Sequence, residues 1–312
     1  MNNEPMINEE LILKTIRQVL RENTELADAL KTECKECTAQ EAEETDEGFT
    51  EDIFSAPEQE HFLVESPKNK EAYLRMKKRT LALLGLGKAG LSSRDKTETY
   101  LRKYAFLSAA RDAVLQPVSK EFLDKLGMPV IKTMPDSVQD YLTQPYLSRL
   151  LDDENLEIVR TKLKKNPDVQ ILIGEGNSSI ALEVGLMDFW PALKQGLESH
   201  GIDYGTPAFL RYPRLGSGDL IASEVGAKAV CMILGERTCM ATCESMGVYI
   251  TYNPRVGILE NTRTVISGIY KDGTPYAEAG AYAADLIHKV LTEKKSGVEL
   301  ESGMELELSN SK

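Results

Sequence analysis

Apolar positions along this chain change their spacing twice, and each change marks a different kind of structure. Between Ile7 and Leu30 they recur at helical intervals, Ile12, Ile16, Val19 and Leu20, with Lys14, Arg17, Gln18 and Arg21 on the other side. That pattern predicts an amphipathic helix. From Glu33 to Glu60 large apolar residues thin out, and 11 acidic residues stand against one basic residue, Lys35. Such a stretch cannot bury enough surface to order itself and is expected to be a disordered tether. From about Pro67 to Arg160 the pattern is mostly helical, punctuated by Pro117, Pro129, Pro135 and Pro145.

After Lys165 short β-branched runs begin to alternate with helical sequence. The spacing predicts strands over Val169 to Ile173, Ala208 to Tyr212, Ala229 to Leu234, Tyr249 to Tyr252 and Thr264 to Ser267. Helices are expected through Ala192, Leu193 and Leu197 to near Gly201, over Asp219 to Val225, and over Ala277 to Leu291. This alternation implies an α/β fold: a Rossmann-like, doubly wound, mostly parallel sheet in the C-terminal half, preceded by a mainly helical domain and a disordered N-terminal extension. The expected division is 1–30 amphipathic helix, 31–66 acidic linker, 67–160 mainly helical domain, 161–300 Rossmann-like domain and 301–312 disordered tail.

Ligands bind such sheets at the carboxyl ends of their strands. The candidate edge therefore contains Gly174 to Ser178, Arg211 to Leu215, Gly235 to Arg237 and the segment near Val265. In DVQILIGEGNSS, Asp168 to Ser179, an apolar run stops at Gly174 and Gly176, and Asn177, Ser178 and Ser179 are good helix N-caps. The turn reads as a ligand site at a helix N-terminus or as an ordinary βα turn, since G-x-G-x-S lacks the third glycine of the dinucleotide fingerprint. The cluster Gly85 to Gly90 is not a phosphate loop, because Lys88 is followed by Ala89 where Ser or Thr is required. Lys77, Lys78, Arg79, Lys88, Arg94 and Lys96 nevertheless make that stretch basic, as a contact for a phosphate-bearing ligand or an acidic partner, or as a solvated face.

Composition narrows the functions available. The 312 residues, 42% hydrophobic, suffice for one large or two ordinary domains, and no apolar run reaches the length of a membrane span. No secretory signal is recognised at the start. A net charge of −12 argues against nonspecific nucleic-acid binding. Five cysteines, Cys34, Cys37, Cys231, Cys239 and Cys243, follow no disulfide framework and suit a reducing interior. Cys34-x-x-Cys37 lacks a second ligand pair, and with only His61, His200 and His288 in the chain no metal site is expected. No histidine stands near a candidate serine or cysteine, so the chain favours binding over bond-breaking and no catalytic residue is assigned. Glu236 and Glu175 are open to several roles: a carboxylate pair, acceptors for ligand amides, or, for Glu236, a structural partner of Arg211 or Arg214.

At these residues the chain resembles the light (small) subunit of ethanolamine ammonia-lyase. The matching segments are NPDVQILIGEGNSS at Asn166 to Ser179, GTPAFLRYPRL at Gly205 to Leu215, GAKAVCMILGER at Gly226 to Arg237, TRTVISGIYKDGTPYAEA at Thr262 to Ala279 and, upstream, GKAGLSSRDKT at Gly87 to Thr97. The resemblance implies an adenosylcobalamin-dependent enzyme that converts ethanolamine to acetaldehyde and ammonia by cobalt–carbon homolysis and radical migration. It implies a large-subunit partner, a TIM barrel carrying the substrate site, with the corrinoid held between the two chains. It implies cofactor contacts at Leu215, Glu236 and Val265; the third is often cysteine in relatives, so valine here would contact the cofactor through apolar or backbone atoms. The cobalamin motif D-x-H-x-x-G is absent, so the lower cobalt ligand is expected to be the cofactor's own base. The pathway often runs inside a bacterial microcompartment, and the helix at Ile7 to Leu30 has the form of an encapsulation signal addressed to shell proteins. The expected location is the bacterial cytoplasm, inside that compartment. Two rival readings are a stand-alone Rossmann-type nucleotide-binding enzyme and a non-catalytic scaffold.

Overall fold

The β-branched run beginning at Val169 becomes a fully buried central strand, and the rest of the sheet is assembled around it in the computed structural model. The structure describes residues 67–79, 94–236, 242–271 and 273–300. They lie within the second of two units into which the chain divides, Met1–Glu51 and Asp52–Lys312. The amphipathic pattern of Ile7 to Leu30, the acidic stretch, Cys34, Cys37, the Gly85 to Gly90 cluster, Arg237, Cys239 and the tail 301–312 fall outside the described residues.

In chain order the helices are α1 (Lys70–Arg79), α2 (Thr97–Leu115), α3 (Lys120–Leu126), α4 (Val138–Thr143), α5 (Asp153–Lys162), α6 (Ser179–Ser199), α7 (Leu215–Val225) and α8 (Tyr276–Glu293). The strands are β1 (Val130–Lys132), β2 (Val169–Gly174), β3 (Ala208–Arg211), β4 (Ala229–Gly235), β5 (Met246–Tyr252) and β6 (Arg263–Ile269). They form one sheet in the order β1-β3-β2-β4-β5-β6. The neighbours β1, β3, β2 and β4 are parallel, with Ile173 beside Phe209 on one side and Ile233 on the other. Strand β5 runs antiparallel to both β4 and β6. The connections 236–245 and 253–262 explain this, because a parallel return needs a longer crossover that usually holds a helix.

Alternate residues of the inner strands feed two apolar cores. Ile171, Ile173, Cys231 and Ile233 pack with Leu182, Leu186, Phe189 and Ile287 of α6 and α8. Leu172, Leu210, Val230 and Met232 face the other way, onto Val159, Ile221 and Val225 of α5 and α7. The sheet is therefore covered on both faces, which is why these strands read as unbroken apolar runs. Local signals set the helix ends. Ser178 caps α6 by accepting from Ala181 N at 3.2 Å, and Asp152 caps α5 by accepting from Asn155 N at 2.8 Å. Among the described residues no helix is long and apolar enough to cross a membrane.

Strand β1 lies inside the stretch read as mainly helical. Three residues between Pro129 and Pro135 are too few to display a period of two, and only the pairing of Val130 with Phe209 brings them into the sheet.

Candidate functional site

The chain leaves β2 toward β3 on one side and later returns to β4 on the other side of β2. The order reverses there, opening a crevice above the carboxyl ends of the three strands, the usual ligand position in open α/β sheets. A cavity of about 600 Å³ occupies that crevice. Gly176 and Asn177 reach it from the turn after β2, Pro213, Arg214 and Leu215 from the turn after β3, and Leu234, Gly235 and Glu236 from the end of β4. Three segments singled out in the sequence as a candidate edge thus share one lining.

Of the two readings of the turn after β2, its hydrogen bonds favour the ordinary βα turn. Its glycine requirement is real, since Gly176 has φ +59° in a site where a Cβ would overlap Gly235 O. Its amides, however, are spent within the protein: Asn177 N donates to Gly235 O at 2.8 Å and Ser178 N to Glu175 O at 3.2 Å. The Ser178 hydroxyl also donates to Cys243 O, tying the loop after β4 to the start of α6. Backbone N–H groups at 177 and 178 are therefore not a phosphate cradle.

Glu236 is held as an acceptor. Tyr249 OH donates to its Oε1 at 2.8 Å, Ser267 Oγ to its Oε2 at 2.9 Å, and Gly268 N to Oε2 at 3.3 Å. Gly247 stands where the β5–β6 register shifts, and a Cβ there would overlap Oε1, so only glycine leaves the carboxylate in place. Burial, reinforced by the neighbouring carboxylate, pushes the Tyr249 hydroxyl above its ordinary pKa and keeps it a donor. Oε2 has both lone pairs engaged, whereas Oε1, with Tyr249 as its one donor, retains capacity for a ligand donor.

Glu175 and Glu236 do not form a carboxylate pair. Glu175 turns into the protein, accepting from Arg211 Nη1 at 2.6 Å and from Val118 N at 3.1 Å. Burial raises its pKa in spite of Arg211 and the two backbone amides that oppose the shift. The alternative partnerships of Glu236 with Arg211 or Arg214 are absent as well: Arg211 serves Glu175, and the Arg214 guanidinium lies 4.4 Å above the Tyr141 ring. Tyr141 OH donates to Gly176 O at 2.9 Å, and its pKa is raised by burial, with Arg214 opposing the rise.

Of the residues expected to touch a ligand, Leu215 and Glu236 line the cavity. Val265 does not; it is 48% exposed on β6, beside Tyr249 in register and two residues from the lining Ser267. Sequence reasoning missed Tyr141, Arg149, Tyr249 and Ser267. Tyr249 and Ser267 sit in predicted strands, and their alternation with buried Val248, Ile250 and Ile266 marks the face on which they stand. Tyr141 and Arg149 carried no such signal. Among the described residues no group of His, Cys, Asp and Glu is placed to hold a metal ion.

Comparison with known proteins bears on the chain as a whole. The family described as "Ethanolamine ammonia-lyase light chain (EutC)" matches residues 70–301. A Clostridium perfringens protein named ethanolamine ammonia-lyase small subunit is 40% identical over 292 residues, covering 94% of this chain and 96% of its own. Proteins of the same name from Clostridioides difficile and Listeria monocytogenes are 43% identical over 250 residues and 42% identical over 254, covering 80% and 81% of this chain and 85% and 86% of theirs.

Proposed function

The chain belongs to the ethanolamine ammonia-lyase light-chain family and so is a subunit of a carbon–nitrogen lyase, and from that premise we propose that its cavity holds one side of adenosylcobalamin against a large subunit that carries the substrate site. The observation that carries this reading is the meeting of Leu215 and Glu236, drawn from separate turns, in one lining at the switch point of the sheet. The donor set suits a corrinoid. Leu215, Leu234 and Pro213 offer apolar surface to a flat macrocycle, and Glu236 is a pre-oriented acceptor for peripheral amide groups. A corrinoid with its nucleotide loop is larger than this cavity, which leaves part of it for a second chain to cover.

Exposed apolar residues beside the lining support that cover. Leu142, Tyr146 and Leu150 flank Tyr141 and Arg149 on one side, and Val256 (70% exposed) and Leu259 (69%) precede Glu260 on the other. Val265 is proposed as an apolar or backbone contact at the same margin. When bound, adenosylcobalamin supplies the carbon radical by homolysis of its cobalt–carbon bond. The residues of this chain bind and orient the cofactor and keep water from it. The division into 67–160 and 161–300 is retained as a proposal, the second part being the corrinoid-contacting one. The helical pattern at Ile7 to Leu30 is proposed to address the assembly to microcompartment shell proteins.

Ethanolamine deamination with adenosylcobalamin tests the reading, using this chain, a cognate large subunit, and their mixture. Activity is expected in the mixture alone. Full activity of the large subunit by itself would overturn it, as would tight nucleotide binding by this chain alone.

A further inference from the structure

Two guanidinium groups line the cavity with no described carboxylate paired to either. Arg149 ends the 3-10 turn Leu147–Arg149, and Arg214 is the N-cap residue of α7. The acidic residues of the same lining are already answered: Glu260 accepts from Arg263 Nε at 2.6 Å, and Glu236 from Tyr249 and Ser267. Arg214 Nε is buried without a hydrogen-bond partner. Its Cζ lies over the Tyr141 ring, a contact that takes up none of its N–H donors. A buried unpaired donor of this kind costs free energy unless a ligand meets it.

Arg149 is steered to the same place. Its Cγ and Cδ lie 3.1 and 3.3 Å from where a Cβ on Gly216 would stand, so its aliphatic stem packs closely across the first turn of α7, where residue 216 has no side chain. The N-terminal end of an 11-residue helix adds partial positive charge there. Two planar cations with fork-shaped donor sets match the oxygens of a phosphate ester better than they match an amide or a hydroxyl.

We propose that Arg149 and Arg214 form an anion subsite of this cavity that takes a phosphodiester, the one in the nucleotide loop of the cofactor. This assignment rests on the corrinoid reading above and adds a division of labour to it: Glu236 receives neutral amide donors, and the two arginines receive the single fixed anion. Cobinamide, the corrinoid without the nucleotide loop, lacks that anion. It separates contacts to the nucleotide loop from contacts to the corrin ring and its amides.

The experiment is equilibrium titration of cobalamin and of cobinamide into the assembly of this chain with its large subunit, in wild type, Arg149→Gln, Arg214→Gln and the two Arg→Lys variants. Inorganic phosphate is titrated in parallel. Each Gln variant is expected to lose about tenfold or more in cobalamin affinity and less than about twofold for cobinamide, with partial recovery in the Lys variants. Equal losses for the two corrinoids, at an unchanged unfolding temperature, would overturn the subsite. Loss of inorganic-phosphate binding with the cobalamin-to-cobinamide ratio unchanged would show a free-phosphate site and overturn the cofactor assignment. A wild-type assembly that binds neither corrinoid would bring down the underlying reading itself. Arg149 is exposed, so Arg149→Gln decides the matter even where Arg214→Gln destabilises the chain.

Discussion

Glu236 shows how much of this site depends on residues that would not themselves touch a ligand. Two hydroxyls and one amide fix its carboxylate, and Gly247 leaves it room. Tyr249→Phe removes a hydrogen bond to a charged group, worth about 1.5–3 kcal/mol. Corrinoid affinity of the assembly should fall by roughly tenfold in isothermal titration, and an unchanged affinity would separate Tyr249 from the site. Glu175 makes a prediction of the opposite kind. Burial raises its pKa in the folded chain above the unfolded value, so its contribution to stability is fully present below the ordinary carboxylate range and is lost as pH rises through the raised value. Glu175→Gln lacks this dependence. The stability of wild type relative to the variant should therefore shrink from about pH 4 upward, as read by urea unfolding at several pH values. A difference that grew with pH would contradict the sign. Cys231, fully buried with its thiol pushed up to about 12, should be protected from thiol reagents until the chain unfolds, which mass mapping of labelled peptides will read.

Among the elements, α7 is the one that joins the fold to the cavity. Its N-terminus supplies Leu215 to the lining, and one turn later Asp219 makes a two-pronged pair with Arg263 of β6 at 3.0 and 2.7 Å. Both side chains are buried, 2% and 4% exposed, and Thr251 Oγ1 accepts a further bond from Arg263 at 3.0 Å. Asp219→Ala takes the buried carboxylate from Nη1 and Nη2 and leaves Arg263 only Glu260 at Nε and the Thr251 hydroxyl, so it should cost about 3 kcal/mol, the low end for a broken buried pair, measured by denaturant unfolding. Elements were legible in the sequence to the degree that burial imposed a pattern on them. The central strands announce themselves because both faces are covered, and Ala277 to Leu291 announces a helix by its apolar spacing. Strand β1 and the antiparallel direction of β5 did not. A three-residue strand has no period, and strand direction follows from the length of a connection and from what packs on it.

For the whole molecule, the legible part of the site was its address and the hidden part its furnishing. Topology placed Gly174 to Ser178, Arg211 to Leu215, and Gly235 with Glu236 at one sheet edge, because the carboxyl ends of neighbouring parallel strands converge whatever their side chains are. Which donors served a ligand and which served the protein was not legible: the amides of the βα turn and the Glu175 carboxylate are both consumed internally, through partners as distant as Val118 and Gly235. Tyr141 and Arg149 enter from a segment whose pattern reads as mostly helical and carries no site signal. At this scale the N-terminal segment also makes a prediction. Removing residues 1–60 should leave deamination by the two-subunit assembly intact while abolishing its co-purification with shells, and undiminished co-purification would dismiss the addressing role.

The central claim is that this chain holds the corrinoid through the cavity at the switch point. Its most direct measurement is the dissociation constant of adenosylcobalamin for the two-subunit assembly, wild type against Glu236→Ala, with the large subunit alone as reference. The account predicts tight binding that needs both chains and is weakened at least about tenfold by the substitution. Equal affinity in wild type, Glu236→Ala and the isolated large subunit would contradict it.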